Sequence, residues 1–184
     1  MGSYITTYTH RHFDPADPDP ELILIEDIAH ALSMLCRGNG HVSSFWSVGE
    51  HCICCAKEAA GRGLSKKVIL ACLLHDASEC YMSDVPRPLK QNMKDYKQQE
   101  SSLLDMIYRK FLGEALTEEE EKQIKAIDDD LLWYDLEMLL GEKQNREKPE
   151  LHIRLDYKVR PFDMVEREYL DFFRELSSEL ESKV

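Results

Sequence analysis

Between Leu24 and Leu35 the apolar positions fall at Leu24, Ile25, Ile28, Ala29, Leu32 and Leu35, the i, i+3, i+4 recurrence of a helix with one buried face. A helix is therefore expected over residues 21–35, ended by the turn-forming run Arg37-Gly38-Asn39-Gly40. The same periodicity predicts a second helix over 44–60, stopped near Gly61 and Gly63. A third is expected from Ser65, a good N-cap residue, to Tyr81, closed by Pro86 and Pro88. Further helices are expected over 92–112 and, after the capping-box pattern of Thr117-Glu118-Glu119-Glu120, as far as Leu140. GEKQNREKPE reads as a polar loop. Leu151, Ile153, Leu155, Tyr157 and Val159 then alternate with polar residues at the period of a strand, available to pair with the extended, proline-punctuated N-terminal segment ITTYTHRHFDPADPDP. A last helix is expected over 161–182. Together these elements predict an all-α bundle with a minor β pair formed by the N-terminus and the segment near 151–159.

Composition narrows the class. A chain of 184 residues with 43% hydrophobic content is long enough for one well-packed domain, expected to span 1–184. Neither a transmembrane span nor a signal peptide is apparent, so a cytoplasmic protein is expected, with its six cysteines as reduced thiols. The net charge of −12 opposes docking on a nucleic-acid polymer, which relies on neutralising many phosphates, and leaves a small ligand open. Apolar residues on more than one face of the last helix, among them Met164, Val165, Tyr169, Leu170, Phe172 and Phe173, leave room for a homodimer.

The chemistry concentrates where the pattern is most hydrophobic. Val68-Ile69-Leu70-Ala71-Cys72 runs directly into LLHDASE, so His75 and Asp76 sit beside the strongest core stretch of the chain. A carboxylate in such a place must be paired, hydrogen-bonded or bound to a metal. His51 falls on the stripe Val48, His51, Cys52, Cys55, Ala56, Ala59, and Asp128 on the stripe Ile124, Ile127, Asp128, Leu131, Leu132, Leu136, Leu139. Asp129 and Asp130 flank Asp128 and would replace it in another register; the stripe favours Asp128. Inward ionisable residues on three separate helices are accounted for by one shared site. Two imidazoles and two carboxylates suit a borderline divalent ion held in the core of a helix bundle. Cys52-Ile53-Cys54-Cys55 suggests a thiolate site, but Cys52 and Cys55 fit the core stripe as small hydrophobes and no distant CxxC partner exists.

The ordered set His51, His75-Asp76 and Asp128, with HDASE followed by Asp84 and PRPLK, resembles the HD-domain metal-dependent phosphohydrolases. It is most similar to the branch containing bacterial 5′-deoxynucleotidases and phage dNTP phosphohydrolases, over residues 25–140. The resemblance implies ligation of one divalent ion (Mn, Co, Fe, Ni, Zn or Mg) by His51, His75, Asp76 and Asp128. It implies proton transfer by Glu79, a second carboxylate, Asp84, near the attacking water, and phosphate contacts by Arg37 and Lys90. Helical spacing independently puts Glu79 on the face of His75 and Asp76. Where those relatives follow the arginine with tryptophan, this chain has Gly38-Asn39-Gly40-His41. The expected activity is removal of the 5′-phosphate from deoxynucleoside monophosphates. The alternatives are a dNTP triphosphohydrolase and a non-catalytic nucleotide-sensing module, the latter opposed by the complete residue set.

Overall fold

The computed structural model of the protein describes residues 3–181. The chain starts as an antiparallel hairpin, β1 (Ile5–Thr6) on β2 (His12–Phe13), with Ile5 opposite Phe13. In its turn, Thr9 donates through its backbone N and Oγ1 to the buried carboxylate of Asp27 at 2.7 and 2.9 Å, tying the hairpin to the first helix. The helices are α1 (Ile25–Met34), α2 (Val48–Gly61), α3 (Lys66–Leu74), the short α4 (Glu79–Met82) and α5 (Arg87–Lys90), α6 (Lys94–Leu112), α7 (Glu118–Leu140) and α8 (Phe162–Glu181). The expected end of the last helix at Ser182 lies outside the described residues.

The fold is the expected helical one with a small β pair, but both strands come from the N-terminal segment, and 151–159 is not a strand. Its alternation has another cause. Leu151, Ile153, Leu155 and Tyr157 are partly buried while His152, Arg154, Asp156 and Lys158 are exposed, because the segment lies as an extended strap against α2. The backbone N–H groups of His152 and Ile153 donate to Glu58 Oε2 at 2.8 and 3.2 Å, so a buried helix carboxylate takes the place of a partner strand.

Helix α3 carries the core. Every residue from Val68 to Leu74 is buried, as expected for a helix that packs on α2, α6, α7 and α8 together. Burying each of its larger side chains contributes about 1.5–3 kcal/mol. On α8, Val165, Tyr169 and Leu176 face this core, which leaves Phe162 and Met164 as its exposed large apolar residues. No helix of the described residues is long and apolar enough to cross a membrane, and all six cysteines are free thiols.

Caps decide several boundaries. Helix α2 starts at Val48 and not at residue 44, because Ser47 Oγ accepts from Glu50 N while Glu50 Oε2 accepts from Ser47 N and Oγ, a reciprocal capping box. Ahead of it, Cys36 and Ser47 form an antiparallel bridge and Arg37 N donates to Trp46 O at 2.9 Å. The loop between them is therefore closed at its base, turning through Gly38 and Asn39 at φ 59° and 53°, and it fixes the backbone from which Arg37 projects.

The strap sits so close to α2 that a Cβ on Gly61 would lie 2.7 Å from His152 Cβ, an atom that moves only with its backbone. Gly61→Ala is expected to push the strap away from Glu58 and cost about 1–3 kcal/mol, a fall of roughly 2–12 °C in thermal midpoint at this chain length. An unchanged midpoint in a melting experiment would show that the strap is not held as described.

Candidate metal centre

The helix expected to continue to Tyr81 stops at Leu74, and the reason lies in its last carbonyls. Cys72 O accepts from His75 Nδ1 at 2.8 Å, Leu73 O from the Tyr169 hydroxyl at 2.6 Å, and Leu74 O from Ala77 N at 2.9 Å. Side chains and a tight turn thus replace the helical donors. Residues 75–78 form a turn, and α4 begins at Glu79, whose N donates to Asp76 O at 3.0 Å. His75 and Asp76 therefore sit at a helix end, held by α8 through Tyr169.

Four side chains meet beside that turn. His51 Nε2 lies 3.1 Å from Asp128 Oδ1, His75 Nε2 lies 3.3 Å from Asp76 Oδ2 and 3.7 Å from Asp128 Oδ1, and the two imidazole centroids are 5.3 Å apart. Asp129 instead pairs with Lys125, and Asp130 with Arg62 and Arg146.

The donor set fits a cation. A carbonyl can only accept, so the contact with Cys72 O makes His75 Nδ1 the donor and turns Nε2, as a lone pair, toward the carboxylates of Asp76 and Asp128. This Nε2 is buried and has no hydrogen-bond partner. A lone pair facing two carboxylates is repulsive unless a positive charge lies between them. Without a metal that charge is a proton: burial opposes the charged imidazole, but Asp76 and the other neighbours outweigh it and raise the His75 pKa well above its usual value. Burial likewise works against ionised Asp128, yet His51 and His75 hold its carboxyl well below the usual range. Two imidazoles and two carboxylates arranged in this way suit a divalent metal ion.

On its other nitrogen, His51 Nδ1 lies 3.1 Å from Asp135 Oδ2, a carboxylate absent from the residues singled out in the sequence. Asp135 also accepts from Arg37 Nη2 at 3.4 Å and from the Tyr157 hydroxyl at 2.9 Å. Burial pushes its pKa up, but His51, Arg37 and Tyr157 bring it below the ordinary value, so it stays ionised and fixes the His51 ring. Its position was legible: seven residues after Asp128 is two turns along the same face of α7. Tyr157 had no such signal beyond its place in the alternating strap.

Arg37 donates through Nη1 to Asp76 at 3.3 Å as well. Burial disfavours its charge, but Asp135, Asp76, Asp128 and Glu79 more than offset this, leaving the guanidinium firmly protonated. Glu79 is buried with Oε2 unpartnered. Burial, followed by repulsion from Asp76 and Asp84, raises its pKa well above the ordinary carboxylate value. Lys90 Nζ donates to Glu100 at 2.6 Å and lies 4.0 Å from Glu79. Arg37, Asp76, Glu79, Asp84, Lys90 and Asp128 all line one cleft of about 660 Å³, within the range of small-molecule sites. His41 is exposed and does not line it.

Cys52 and Cys55 are buried, as the core stripe predicts, and also adjoin the histidines, with Cys55 Sγ 3.5 Å from His51 Nε2. Ligand atoms of His51, Cys55 and His75, and of Cys52, His75 and Asp76, fall within 4.8 Å of one another. Burial raises both thiol pKa values, so a metal would have to displace a more tightly held proton from either sulfur than from the histidine and carboxylate donors.

A helical bundle that gathers a histidine-aspartate turn, a second histidine and an inward aspartate beside a polar cleft has the makings of a metallohydrolase. Residues 41–158 match the HD domain family, well over half of the chain, and the chain belongs to that family. The matched span contains His51, His75, Asp76, Glu79, Asp84, Lys90, Asp128 and Asp135, while Arg37 and Tyr169 lie outside it. The chain is 36% identical over 109 residues to the uncharacterized protein YfdR of Escherichia coli (strain K12), covering 59% of this chain and 58% of that protein. It is 35% identical over 124 residues to an uncharacterized protein of Rhodobacter capsulatus, covering 64% of this chain and 63% of the relative. The chain thus spans about six tenths of the length of these curated relatives.

Proposed function

We propose that the chain is a single-domain, metal-dependent phosphohydrolase that removes the 5′-phosphate from deoxynucleoside monophosphates, with His51, His75, Asp76 and Asp128 as the metal ligands. The observation that carries this reading is the unpartnered, buried His75 Nε2 set between two carboxylates at the edge of a cleft that also holds Arg37 and Lys90. When bound, a divalent ion activates water and offsets charge on phosphoryl oxygens. Arg37, held by Asp76 and Asp135, presents a planar guanidinium to the phosphate, and Lys90 adds a point charge. Asp84 accepts a proton from the attacking water as its oxygen bonds to phosphorus. Glu79 gives a proton from its buried carboxyl to the departing 5′ oxygen as the P–O bond breaks.

A monophosphate is favoured over a triphosphate by charge. The cations lining the cleft are Arg37, Lys90 and Arg87, and the Arg87 side chain is 62% exposed and turned toward Asp129. Beyond Arg37 and Lys90 the cleft offers further phosphates only that exposed arginine, while Asp84 and Glu142 add negative charge to its lining. Phe162 and Met164 are the apolar surface that α8 offers to a second copy of the chain, the basis for a homodimer.

The test is a panel of deoxynucleoside mono- and triphosphates and ribonucleotides, incubated with protein loaded in turn with Mn, Co, Fe, Ni, Zn or Mg, with products separated. Inorganic phosphate and a deoxynucleoside from monophosphates is the expected result. Triphosphate release from dNTPs would replace this substrate by the alternative, and binding without any product would favour a sensing role.

A further inference from the structure

We propose that the chain carries a second ligand site, for a phosphate ester with a hydrogen-bond donor on its non-phosphate part, in a cleft between α2 and the strap of residues 153–160. This cleft, of about 390 Å³, shares no lining residue with the one beside the histidines. Its volume lies within the range that holds small molecules.

Charge is the first argument. Lys57, Arg154, Lys158 and Arg160 all line this cleft in a chain whose net charge is −12. Lys57 and Arg160 share a single carboxylate, Glu168, so one of the two charges is left over. Lys158 meets Asp156 at 3.2 Å in a pair open to solvent, an arrangement that contributes little. Arg154 is exposed and acts on the same Asp156, so these two cations also share one carboxylate. The four cations outnumber Glu50 and Asp156, the two carboxylates that line the cleft, which favours an anion, and the guanidinium forks suit phosphate oxygens.

The second argument comes from the buried wall. Trp46 and Glu50, 3% and 1% exposed, both line the cleft, and each leaves a buried polar atom without a partner: Trp46 Nε1–H, a donor, and Glu50 Oε1, an acceptor. The other Glu50 oxygen is already engaged in the capping box of α2. Buried polar groups are normally satisfied, so an orphaned donor and an orphaned acceptor on two residues that line one cleft, both atoms closed off from solvent in this structure, would be satisfied by a ligand that reaches them with the converse pair. Inorganic phosphate alone answers the cations but serves the wall poorly. An ester whose organic part carries an N–H or O–H donor and an acceptor answers both, and nucleotides and phosphorylated sugars are the two sources of that chemistry. The Trp46 ring packs on Tyr157 at 4.8 Å, and Tyr157 in turn donates to Asp135 beside His51, so the second cleft adjoins the groups that hold the first.

The test is calorimetric titration of the full chain, freed of metal by dialysis against a chelator, with three probes: inorganic phosphate, a nucleoside monophosphate and a hexose phosphate. At least one ester is expected to bind more tightly than inorganic phosphate. Its affinity should survive Arg37→Ala, fall at least tenfold in the Arg154→Ala/Lys158→Ala double variant, and also fall in Trp46→Phe, which keeps a ring but lacks the N–H. Arg154 and Lys158 are exposed, and an unchanged thermal midpoint verifies that the double variant is folded. Whichever ester binds identifies the source. The proposal is overturned if no probe binds, if binding disappears with Arg37→Ala and is untouched by the double variant, or if inorganic phosphate binds as well as the esters. Because the nucleotide is also expected in the first cleft, Arg37→Ala separates the two sites, and a failure confined to the double variant and Trp46→Phe leaves the hydrolase reading standing.

Discussion

Purified His75→Ala and Asp128→Ala are expected to lose the divalent ion that the wild-type chain should take up at about one per chain, and with it all measurable hydrolysis. Asp128 is the shared member of the cluster, 3.1 Å from His51 Nε2 and 3.7 Å from His75 Nε2, so its removal leaves two imidazole lone pairs without a common anion. Loss of a supporting residue around a metal commonly costs roughly 10–100-fold in affinity, and loss of a ligand costs more. Asp135→Asn, which weakens the hold on His51 Nδ1 without removing a ligand, should fall in that smaller range. Asp129→Ala should keep the metal, because its partners are the exposed Lys125 and Arg87. Elemental analysis after dialysis reads all four variants. Full occupancy in Asp128→Ala with loss in Asp129→Ala would show that Asp129, and not Asp128, is the ligand.

Glu79→Gln and Asp84→Asn are expected to show the opposite division: metal content and thermal midpoint retained, turnover lowered by roughly 10²-fold or more, the usual share of a positioned acid or base. Glutamine and asparagine keep the shape of the side chain and remove its capacity to carry the proton. Arg37→Ala and Lys90→Ala should chiefly raise the substrate concentration needed for half-maximal rate, since both hold phosphate in ground and transition states alike. Metal content must be measured on each variant, because a disturbed site imitates a catalytic defect. Wild-type turnover in both carboxylate variants with metal bound would remove the proton-transfer roles from the mechanism.

The features that could be read along the chain are those set by neighbouring residues. Thr117 with Glu120 announces α7, and Ser65 announces α3, because a cap is a local event within one turn. The capping box Ser47-Val48-Gly49-Glu50 was equally visible and marks the true start of α2. The break after Leu74 was not legible, since no glycine or proline interrupts residues 65–81 and the apolar pattern continues through it. It depends on Tyr169, 96 residues away from Leu73, taking a carbonyl that a continuing helix would have used. The strap shows the converse limit. A two-residue period says that one side is buried, and it is the same whether the covering surface is a strand or, as here, a helix carrying Glu58. Within the cluster, the inward positions of His51 and Asp128 followed from helical stripes, whereas the Asp135 and Arg37 contacts required the fold.

The central claim is that hydrolysis of a deoxynucleoside monophosphate depends on a metal held by this cluster. Its most direct test is phosphate release from such a substrate by one preparation of the protein, assayed after chelation, after metal is restored, and in the Asp128→Ala variant given the same metal. Release that vanishes on chelation, returns with metal and fails to return in the variant is the predicted result. Release that persists without metal, or that is equal in wild type and variant, would contradict the account.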